Sequence, residues 1–350
     1  AGYPATGFER EETPGGIVQH VIPAFRIPQE AIEKDVALAK AMGAQFVCGK
    51  PAPACEQLRA QGYQNILLAF GAEKPGALAL EGNVLTVIDF LKRAKSAPET
   101  LALGESVAVI GGGNTAIDSA RSALRLGAAK VIVLYRRTAE AMPAYRQEVE
   151  EALHEGVEIM ELVKPVRFIS DKHGSVAKVE CIRCETGQFD NRGRREIKDI
   201  PNSNFFVDID VVIPAVSQYA DLPFIPRGEI GVTKWGTFII DEDTYMTTEE
   251  GVFAGGDVAR GPDEVIRAIS DGKNAAISID LYLGGEGKLN KGQEIDIPLL
   301  EDDDEIISHE RFEKEILPLE ERHSFEEVIR GYHKLNAIAE AMRCLHCNRR

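Results

Sequence analysis

The hydrophobic pattern is most regular between Ser106 and Arg137. The apolar, β-branched run SVAVI stops at three consecutive glycines and predicts a short strand. The stretch NTAIDSARSALRLGA that follows carries apolar residues at helical spacing and is closed by Gly127, so it predicts a helix. KVIVLYRR predicts a second strand, which ends in two arginines. Strand, glycine loop, helix and strand form one βαβ unit, which predicts a parallel sheet with a right-handed crossover.

The rest of the chain continues the alternation of helices and strands. After the βαβ unit, AYRQEVEEALHEG predicts a helix, GVEIMELVKPVRFIS and SVAKVECIRCE predict strands of a small antiparallel excursion, NRGRRE predicts an exposed turn, and FFVDIDVVIPAVS predicts one buried strand that returns to the sheet. Before the unit, AIEKDVALAKAMG predicts a helix and NILLAFGAE a strand. After it, GVFAGGDVARG predicts a strand with a glycine turn, and a helix begins near Asp263. An acidic linker starts at Glu286, and SFEEVIRGYHKLNAIAEAMRCLHC predicts one or two helices.

Composition and charge narrow the functional classes. The 350 residues include 40 Lys and Arg against 56 Asp and Glu, a formal net charge of −16. A chain this acidic is poorly suited to binding nucleic acid or an anionic membrane surface. Its longest apolar runs fall well short of the ~20 residues of a membrane span. Six cysteines are too few for a disulfide scaffold, so we expect a reducing, cytoplasmic location.

The glycine loop of the βαβ unit has the spacing of a dinucleotide-binding motif. Gly111-x-Gly113-x-x-Ala116 directly follows the first strand and opens the helix. The first glycine allows a tight turn, the second lets a pyrophosphate approach the backbone, and the small third residue lets helix and strand pack closely. The alternative is a tight turn without a ligand.

The end of the second strand suggests which nucleotide binds. An NAD site would place an acidic residue there for the ribose hydroxyls, whereas this chain carries Arg136 and Arg137. Two guanidinium groups suit a 2′-phosphate, which favours NADP(H). The alternative is a pair of solvated surface arginines. Arg146 is either a third cation of this site or a residue on the outer face of its helix.

Three further segments are candidates for a flavin site. In GVFAGGDVARG a strand runs into Gly256 and Asp257, where a carboxylate can meet a ribityl hydroxyl and a helix N-terminus can face a pyrophosphate. Glu9 closes an apparent strand, where its carboxylate could accept from an adenosine ribose, and Gly15 and Gly16 follow. The alternative for Gly256 and Asp257 is a glycine turn capped by an aspartate, and Glu9, Gly15 and Gly16, taken singly, are better explained as turn residues than as ligands.

Together these segments resemble a known family. FEREETPGGIVQHVIPAFRIP, VAVIGGGNTAIDSARSALRLGA, VLYRRTAEAMPAYRQEVEEALHEGV and GVFAGGDVARGPDEVIRAISDGKNAA are similar to the glutamate synthase small-subunit family of flavoproteins, including its selenate-reductase-like subunits and the flavoprotein modules of electron-bifurcating enzymes. The matching blocks cover most of residues 1–285. Members pass a hydride from NADPH to FAD, and electrons continue to iron–sulfur clusters.

The resemblance implies a fold and a set of contacts. The fold class is α/β, with two Rossmann-like three-layer dinucleotide-binding domains, the NADP domain inserted into the FAD domain, and a helical C-terminal tail. The implied domains are an N-terminally incomplete first part of the FAD domain at 1–103, the NADPH domain at 104–218, the second part of the FAD domain at 219–285, and the acidic linker and CxxC tail at 286–350. The implied contacts are Glu9, Gly15, Gly16, Gly256 and Asp257 for FAD, Gly111, Gly113, Asn114, Arg136 and Arg137 for NADPH, and Ile22, Pro23 and Arg26 near the isoalloxazine.

The chain departs from the family pattern at three places. The family's first FAD strand and its GxGxxG loop should precede Glu9, so we expect a fragment whose missing loop lies in a longer chain or in another chain. Ser217 stands where members usually carry glycine before a glutamine. Phe70 stands in Ala-Phe-Gly where Ala-Thr-Gly is usual.

The cysteines contain two CxxC pairs. Cys344 and Cys347 have the spacing of metal ligands but supply only half a site. They are an incomplete [4Fe–4S] motif, as in related chains, surface thiols, or half of a zinc site shared with another chain. Cys181 and Cys184 lie on an alternating strand, where an offset of three puts side chains on opposite faces, so a structural role is predicted. Cys48 and Cys55 are predicted to be buried.

The sequence therefore predicts a flavoprotein oxidoreductase module without a catalytic acid, base or nucleophile. Hydride transfer between a nicotinamide and a flavin is carried by the cofactors, FAD and NADPH here, and the protein orients them. The expected partner is an iron–sulfur or other redox subunit of a larger complex. Two alternatives stay open: a flavin-free NADP(H)-binding assembly or regulatory subunit, and a thiol-disulfide reductase.

Overall fold

The computed structural model describes residues 2–76, 85–172, 176–189, 193, 195–222, 230–288 and 310–343. In the first hundred residues short strands alternate with helices, namely β1 (Thr6–Phe8), α1 (Gly16–His20), α2 (Gln29–Ala41), β2 (Gln45–Val47), α3 (Cys55–Ala60), β3 (Ile66–Leu68), β4 (Lys74–Pro75) and α4 (Val87–Ser96). Helix α4 starts where it does because the Thr86 hydroxyl accepts a hydrogen bond from the Asp89 N–H at 3.3 Å. The helix and strand predicted in this part are confirmed as α2 and β3.

The central part of the chain contains the predicted βαβ unit. Its elements are β5 (Ser106–Ile110), α5 (Asn114–Arg125), β6 (Lys130–Tyr135), α6 (Arg146–His154), β7 (Glu158–Glu161), β8 (Val163–Ser170), β9 (Val176–Phe189), β10 (Arg195–Asp199), β11 (Phe205–Asp208) and β12 (Val211–Pro214). Strands β12, β5, β6 and β7 pair in that order, all parallel. Strands β8 to β11 form a separate antiparallel sheet.

Both faces of the parallel sheet are covered, which explains the continuous apolar run of β5. Val107 and Val109 pack with α4, α5 and α6 on one face, whereas Ala108 and Ile110 pack against the antiparallel sheet on the other. Ala116 of α5 packs in the same core as Val107 and Val109. Alternate side chains of β5 therefore lie in two different cores, and neither face of the strand is exposed to solvent.

Two predictions in this region were wrong about where strands end. GVEIMELVKPVRFIS divides at Leu162, which has a φ of 53°, into β7 of the parallel sheet and β8 of the antiparallel one. FFVDIDVVIPAVS is two strands rather than one. Between them the Asp210 carboxylate accepts the Glu105 and Ser106 N–H groups at 2.8 and 2.9 Å and stabilises the break. In NRGRRE, Arg195 begins β10 rather than belonging to a turn.

Strands from the part of the chain after β12 pair with strands of the first hundred residues. This part contains β13 (Gln218–Tyr219), β14 (Val252–Ala254), α7 (Asp257–Arg260), α8 (Val265–Tyr282), β15 (Glu315–Ile316), β16 (Ile329–Gly331) and α9 (Lys334–Met342). β14 pairs parallel with β3, and β13 pairs antiparallel with β4. β1 and β2 form another parallel pair, and Phe8 of β1 packs into the core that β3 and β14 share.

The segment from residue 310 to 343 packs across the helices of the βαβ unit. Leu317 and Val328 are 1% exposed, and the Val328 N–H donates to the Phe25 carbonyl at 3.0 Å. The Phe325 ring lies 6.1 Å from the Phe25 ring. The predicted helix or helices of this segment reduce to α9, because residues 329–331 pair with β15 instead. In the part of the chain that the structure describes, no helix has both the length and the apolar composition to cross a membrane.

Candidate functional site

The glycine loop after β5 combines a tight turn with an open space. Gly111 has a φ of 148°, and a Cβ there would lie 2.4 Å from the Ala215 carbonyl oxygen, so only glycine fits. A Cβ on Gly113, in contrast, would meet no atom within 4 Å. Gly113 immediately precedes α5, whose first-turn N–H groups and helix dipole favour an anion. This space is suited to a pyrophosphate.

Asn114 connects this loop to the next helix. Its Oδ1 accepts a hydrogen bond from the Tyr145 N–H at 2.9 Å, and the Ala144 N–H donates to the Gly112 carbonyl at 3.0 Å. The side-chain oxygen of Asn114 is thus engaged with the start of α6. The predicted contact of Asn114 with NADPH would therefore be made by its backbone or by its side-chain NH2 group.

The two arginines after β6 have different surroundings. Arg136 is exposed, whereas Arg137 is half-buried and donates from Nη1 to the Arg195 carbonyl at 2.6 Å. Arg137 is therefore held against the β9–β10 hairpin, and Arg136 is free to extend into solvent. The side chain of Arg146 is 92% exposed and pairs with Glu150 at 2.8 Å, so it lies on the outer face of α6.

The turn after β14 places Asp257 at the start of a helix. Gly256 has a φ of 70°, and Asp257 opens α7 with a half-buried side chain. Its Oδ1 accepts the Asp263 N–H at 3.3 Å. Burial raises the pKa of Asp257, and the bond from Asp263 opposes that rise. The carboxylate is thus fixed by the backbone that leads into α8.

Glu9 follows β1, and its carboxylate closes its own loop. The Glu9 N–H donates to the Val47 carbonyl at 2.9 Å, while its Oε1 accepts the Glu11 N–H at 3.0 Å. Gly15 precedes α1, and Gly16 is its first residue. These three predicted FAD contacts thus flank one loop, between β1 and α1.

The glycine loop and the Gly256 turn are connected through neighbouring residues. The Tyr145 N–H donates to Asn114, and the nearby Glu264 carboxylate raises the pKa of the Tyr145 hydroxyl. The Glu264 N–H donates to Asp263 at 2.8 Å, and Asp263 in turn donates to Asp257. These contacts bring Asn114 of the glycine loop and Asp257 of the Gly256 turn into the same region of the structure.

A buried charge cluster lies beside this place, and the sequence interpretation missed it. Arg26 pairs with Asp118 at 2.9 Å and with Glu148 at 3.5 Å, so its side chain is directed at α5 and α6. Arg121 and Arg125 both bind Glu155 at 2.7 Å. Burial raises the pKa of Asp118 to about 6, and Arg26 opposes it. The available signal was the occurrence of Asp118 and Arg121 among the core-facing positions of α5.

The Phe25 ring fills the middle of that cluster. The guanidinium groups of Arg121 and Arg125 lie 4.8 and 4.2 Å from the ring centre, in cation–π geometry. Arg125 also donates to the Ser324 carbonyl at 3.0 Å, and Arg322 pairs with Glu151. The segment before α9 is therefore fixed to the same cluster.

The cysteines that the structure describes are buried or half-buried. Cys181 and Cys184 are both buried, and burial raises the pKa of Cys181 to about 12, so its thiolate is disfavoured. Cys48 and Cys55 are half-buried rather than buried as predicted. Cys344 and Cys347 lie outside the described residues. Within the described ranges, no group of three or more His, Cys, Asp or Glu side chains could hold a metal ion.

Phe70 and Ser217, two of the three departures from the family pattern, have different consequences. The Phe70 ring packs edge-on against Phe238 at 5.9 Å and adds to the core around β3. Ser217 has a φ of 57°, a conformation that favours glycine. The serine is therefore accommodated at a cost to stability.

Comparison with known proteins identifies a family and several relatives. The family model described as pyridine nucleotide-disulphide oxidoreductase matches residues 25–272. The beta subunit of the NADP(+)-dependent formate dehydrogenase of Moorella thermoacetica is 35% identical over 367 aligned residues, covering 99% of this chain and 52% of that protein. The beta subunit of the NADPH-Fe(3+) oxidoreductase of Geobacter sulfurreducens is 34% identical, covering 99% and 58%. This chain thus spans little more than half the length of these two relatives.

Further similarities extend to a small chain and to solved structures. The glutamate synthase [NADPH] small chain of Azospirillum brasilense is 34% identical over 302 aligned residues, covering 80% of this chain and 62% of that one. FprA of Mycobacterium tuberculosis in complex with NADPH superimposes with a TM-score of 0.65 at 17% identity, covering 80% and 77%. Thioredoxin reductase of T. acidophilum gives 0.58 at 16% identity, covering 81% and 92%. At these identities the structures show a shared fold.

Proposed function

Since the chain belongs to the pyridine nucleotide-disulphide oxidoreductase family, we propose that it is a flavoprotein module for hydride transfer from NADPH to FAD, with electrons passing on to iron–sulfur clusters. The observation that carries the proposal is the proximity of the Gly111 loop and the Gly256 turn: Tyr145, whose N–H donates to Asn114, lies beside Glu264, whose N–H donates to Asp263 next to Asp257. Each loop is of a kind that binds dinucleotides, and hydride transfer requires two cofactors to meet.

The NADPH side is assigned to the βαβ unit. The backbone at Gly111 makes the turn, Gly113 leaves room for the pyrophosphate, and the N-terminus of α5 supplies N–H donors. Arg136 and Arg137 bind the 2′-phosphate, Arg137 from a position that the Arg195 carbonyl fixes. Asn114 keeps the loop and α6 together.

The FAD side is assigned to the segments that flank the βαβ unit. Glu9, Gly15 and Gly16 hold the adenosine end, while Gly256 and Asp257 hold the ribityl chain and the flavin end. The half-buried Asp257 carboxylate, fixed by the Asp263 N–H, is a suitable acceptor for a sugar hydroxyl. When bound, NADPH supplies the hydride and FAD accepts it, so no side chain needs to act as acid or base.

The partner is proposed to be an iron–sulfur subunit of a larger complex. Relatives are named as beta subunits or small chains, which supports a subunit role. Cys344 and Cys347 supply two ligands of a [4Fe–4S] cluster that is completed outside this chain. The sparse cysteines of the sequence support a cytoplasmic location.

The test is an anaerobic visible spectrum of the purified chain with added FAD, recorded before and after NADPH. We expect a yellow protein that bleaches with NADPH and responds far less to NADH. A colourless protein that binds NADPH would instead support the flavin-free binding subunit, and the oxidoreductase proposal would be abandoned.

Nucleotide specificity is tested by replacing Arg136 and Arg137 together with alanine. The double variant should lose at least tenfold in NADPH affinity while its NADH affinity stays within about twofold, because only NADPH carries the 2′-phosphate. Arg146→Ala is the matched control, since that arginine lies on the outer face of α6. Equal NADPH affinity in all three proteins would remove the 2′-phosphate assignment.

A further inference from the structure

A buried carboxylate on α8 lies directly behind the Gly256 turn. Asp271 is 4% exposed and accepts the Gly256 N–H at 2.9 Å. The Arg260 Nε lies 3.0 and 2.9 Å from its two oxygens, so the guanidinium of the same short helix that Asp257 opens balances its charge. One side chain therefore fixes both ends of the segment from Gly256 to Arg260.

The two glycines of the turn are shaped around this carboxylate. A Cβ on Gly255 would lie 3.2 Å from the Asp271 Cβ, so glycine allows α8 to approach closely. Gly256 has a φ of 70° and a ψ of −154°, a conformation open essentially only to glycine, and its N–H is directed at Asp271. Because the Gly256 N–H donates to Asp271, this N–H is not available to a ligand.

A strained tyrosine completes the surroundings of Asp271. Tyr245 is buried with a φ of 58°, an unusual conformation for an aromatic residue. Its hydroxyl donates to Asp271 at 3.2 Å and receives bonds from Arg260 at 3.3 Å and from Asn274 at 3.2 Å. Strain of this kind persists only where the surrounding structure enforces it, and it concentrates at ligand sites.

Burial alone would raise the pKa of Asp271, but its partners oppose that rise. The bonds from Gly256 and Arg260 outweigh desolvation, and the pKa of Asp271 lies below its ordinary value. The group is therefore a carboxylate at neutral pH. An amide of the same shape would keep an acceptor for one N–H and lose the charge that pairs with Arg260.

We propose that Asp271 is a positioning residue of the flavin site, which holds the turn from Gly256 to Arg260 so that the Asp257 carboxylate is presented to FAD. This inference rests on the proposed function for the presence of FAD. It adds to the site a residue that lies outside the glycine motif, on α8 rather than on α7. Asp271 acts through the turn and does not touch the cofactor.

The test compares Asp271→Asn with Asp280→Asn. Asp280 lies near the C-terminal end of α8, is also buried, and accepts the Gly287 N–H at 2.8 Å. The two variants therefore make the same chemical change at two buried aspartates of one helix. FAD is titrated into each apoprotein and its fluorescence quenching is measured. We expect Asp271→Asn to weaken FAD binding about tenfold, or about 1.4 kcal/mol, and Asp280→Asn to leave it within about twofold. Tyr245→Phe should give an intermediate loss.

A second readout does not depend on the cofactor. Amide hydrogen exchange of the peptide that contains Gly256 and Asp257 should speed up in Asp271→Asn and stay unchanged in Asp280→Asn. A variant that is merely less stable would exchange faster throughout the protein. If the wild-type chain binds no FAD, the proposed function fails and this inference fails with it. If the wild type binds FAD and Asp271→Asn binds it equally well, only the positioning role of Asp271 is overturned.

Discussion

Glu155 is the carboxylate on which the charge cluster between α5 and α6 converges. Its two oxygens receive four bonds from Arg121 and Arg125 between 2.7 and 2.9 Å, and Arg322 lies 3.5 Å away. Its side chain is 4% exposed. Glu155→Gln keeps the shape of the side chain and removes its charge, which takes one counter-charge from the buried Arg121 and Arg125 guanidinium groups, while Arg121 keeps its ion pair with Glu148.

The pKa of Glu155 gives the size of the expected effect. Burial would raise it, but the bonds from Arg125 and Arg121 lower it from 4.5 to about 2. At ~1.4 kcal/mol per pKa unit, this fall corresponds to about 3 kcal/mol of stability at neutral pH. Removal of one partner from a buried ion pair costs about the same, ~3–5 kcal/mol. We therefore expect Glu155→Gln to lower the free energy of unfolding by about 3 kcal/mol at pH 7.

The sign of the pH dependence follows from the lowered pKa. The contribution of Glu155 is complete above its unfolded pKa and is lost as the pH falls through the folded value of about 2. The difference between wild type and Glu155→Gln should therefore shrink steadily below about pH 5.

Urea unfolding followed by far-UV circular dichroism measures this difference. Glu150→Gln is the control, because Glu150 lies on α6, the helix that Glu155 follows, is 53% exposed and pairs with the exposed Arg146. We expect the control to change stability by less than about 0.5 kcal/mol. If both variants were equally stable at pH 7, the cluster would have no net effect and the reasoning from burial would be refuted.

Three further changes test other parts of the structure. Ser217→Gly should raise the unfolding free energy by about 0.5–1 kcal/mol in urea melts, because glycine adopts a φ of 57° without strain; no gain would show that the serine is not strained. Gly111→Ala should lower stability by about 2–3 kcal/mol, whereas Gly113→Ala should stay within about 1 kcal/mol of wild type and lose about tenfold in NADPH affinity by titration. Burial raises the pKa of Asp118 to about 6, so its contribution to stability is lost as the pH rises from about 4 to about 6. Asp118→Asn should therefore gain on wild type by up to about 3 kcal/mol over that range in urea melts at a series of pH values; parallel curves would contradict the raised pKa.

The parallel sheet could be predicted from sequence because its signals are local. The β-branched run of β5, the glycine loop and the helical spacing of α5 each depend on neighbouring residues alone, and all agree with one βαβ unit. The divisions at Leu162 and Asp210 could not, since they depend on partners in other strands. Asp210 ends one strand by binding Glu105 and Ser106, which are distant in sequence.

The candidate site divides in the same way. Glycine spacing predicted the turn at Gly111, whose steric need the structure explains through Ala215. The proximity of Tyr145 to Glu264 and the bond from the Gly256 N–H to Asp271 could not be predicted, because each depends on how separate elements pack. The sequence alone does not distinguish a charged residue that is buried and paired from one that lies on the surface. No helix forms at residues 329–331, because these residues pair as β16 with β15, a partner that the local pattern does not show.

The packing of Val328 and Phe325 on Phe25 also bears on the order of folding. Phe25 leaves the ribosome well before its partners in this segment, which lie about 300 residues further along the chain. Contacts between residues so far apart also close the longest loops, which makes them slow to form. The loop that holds Phe25 therefore stays uncovered until residues 324–328 have been synthesised, and this segment packs on the βαβ unit after the helices and strands of the unit are complete.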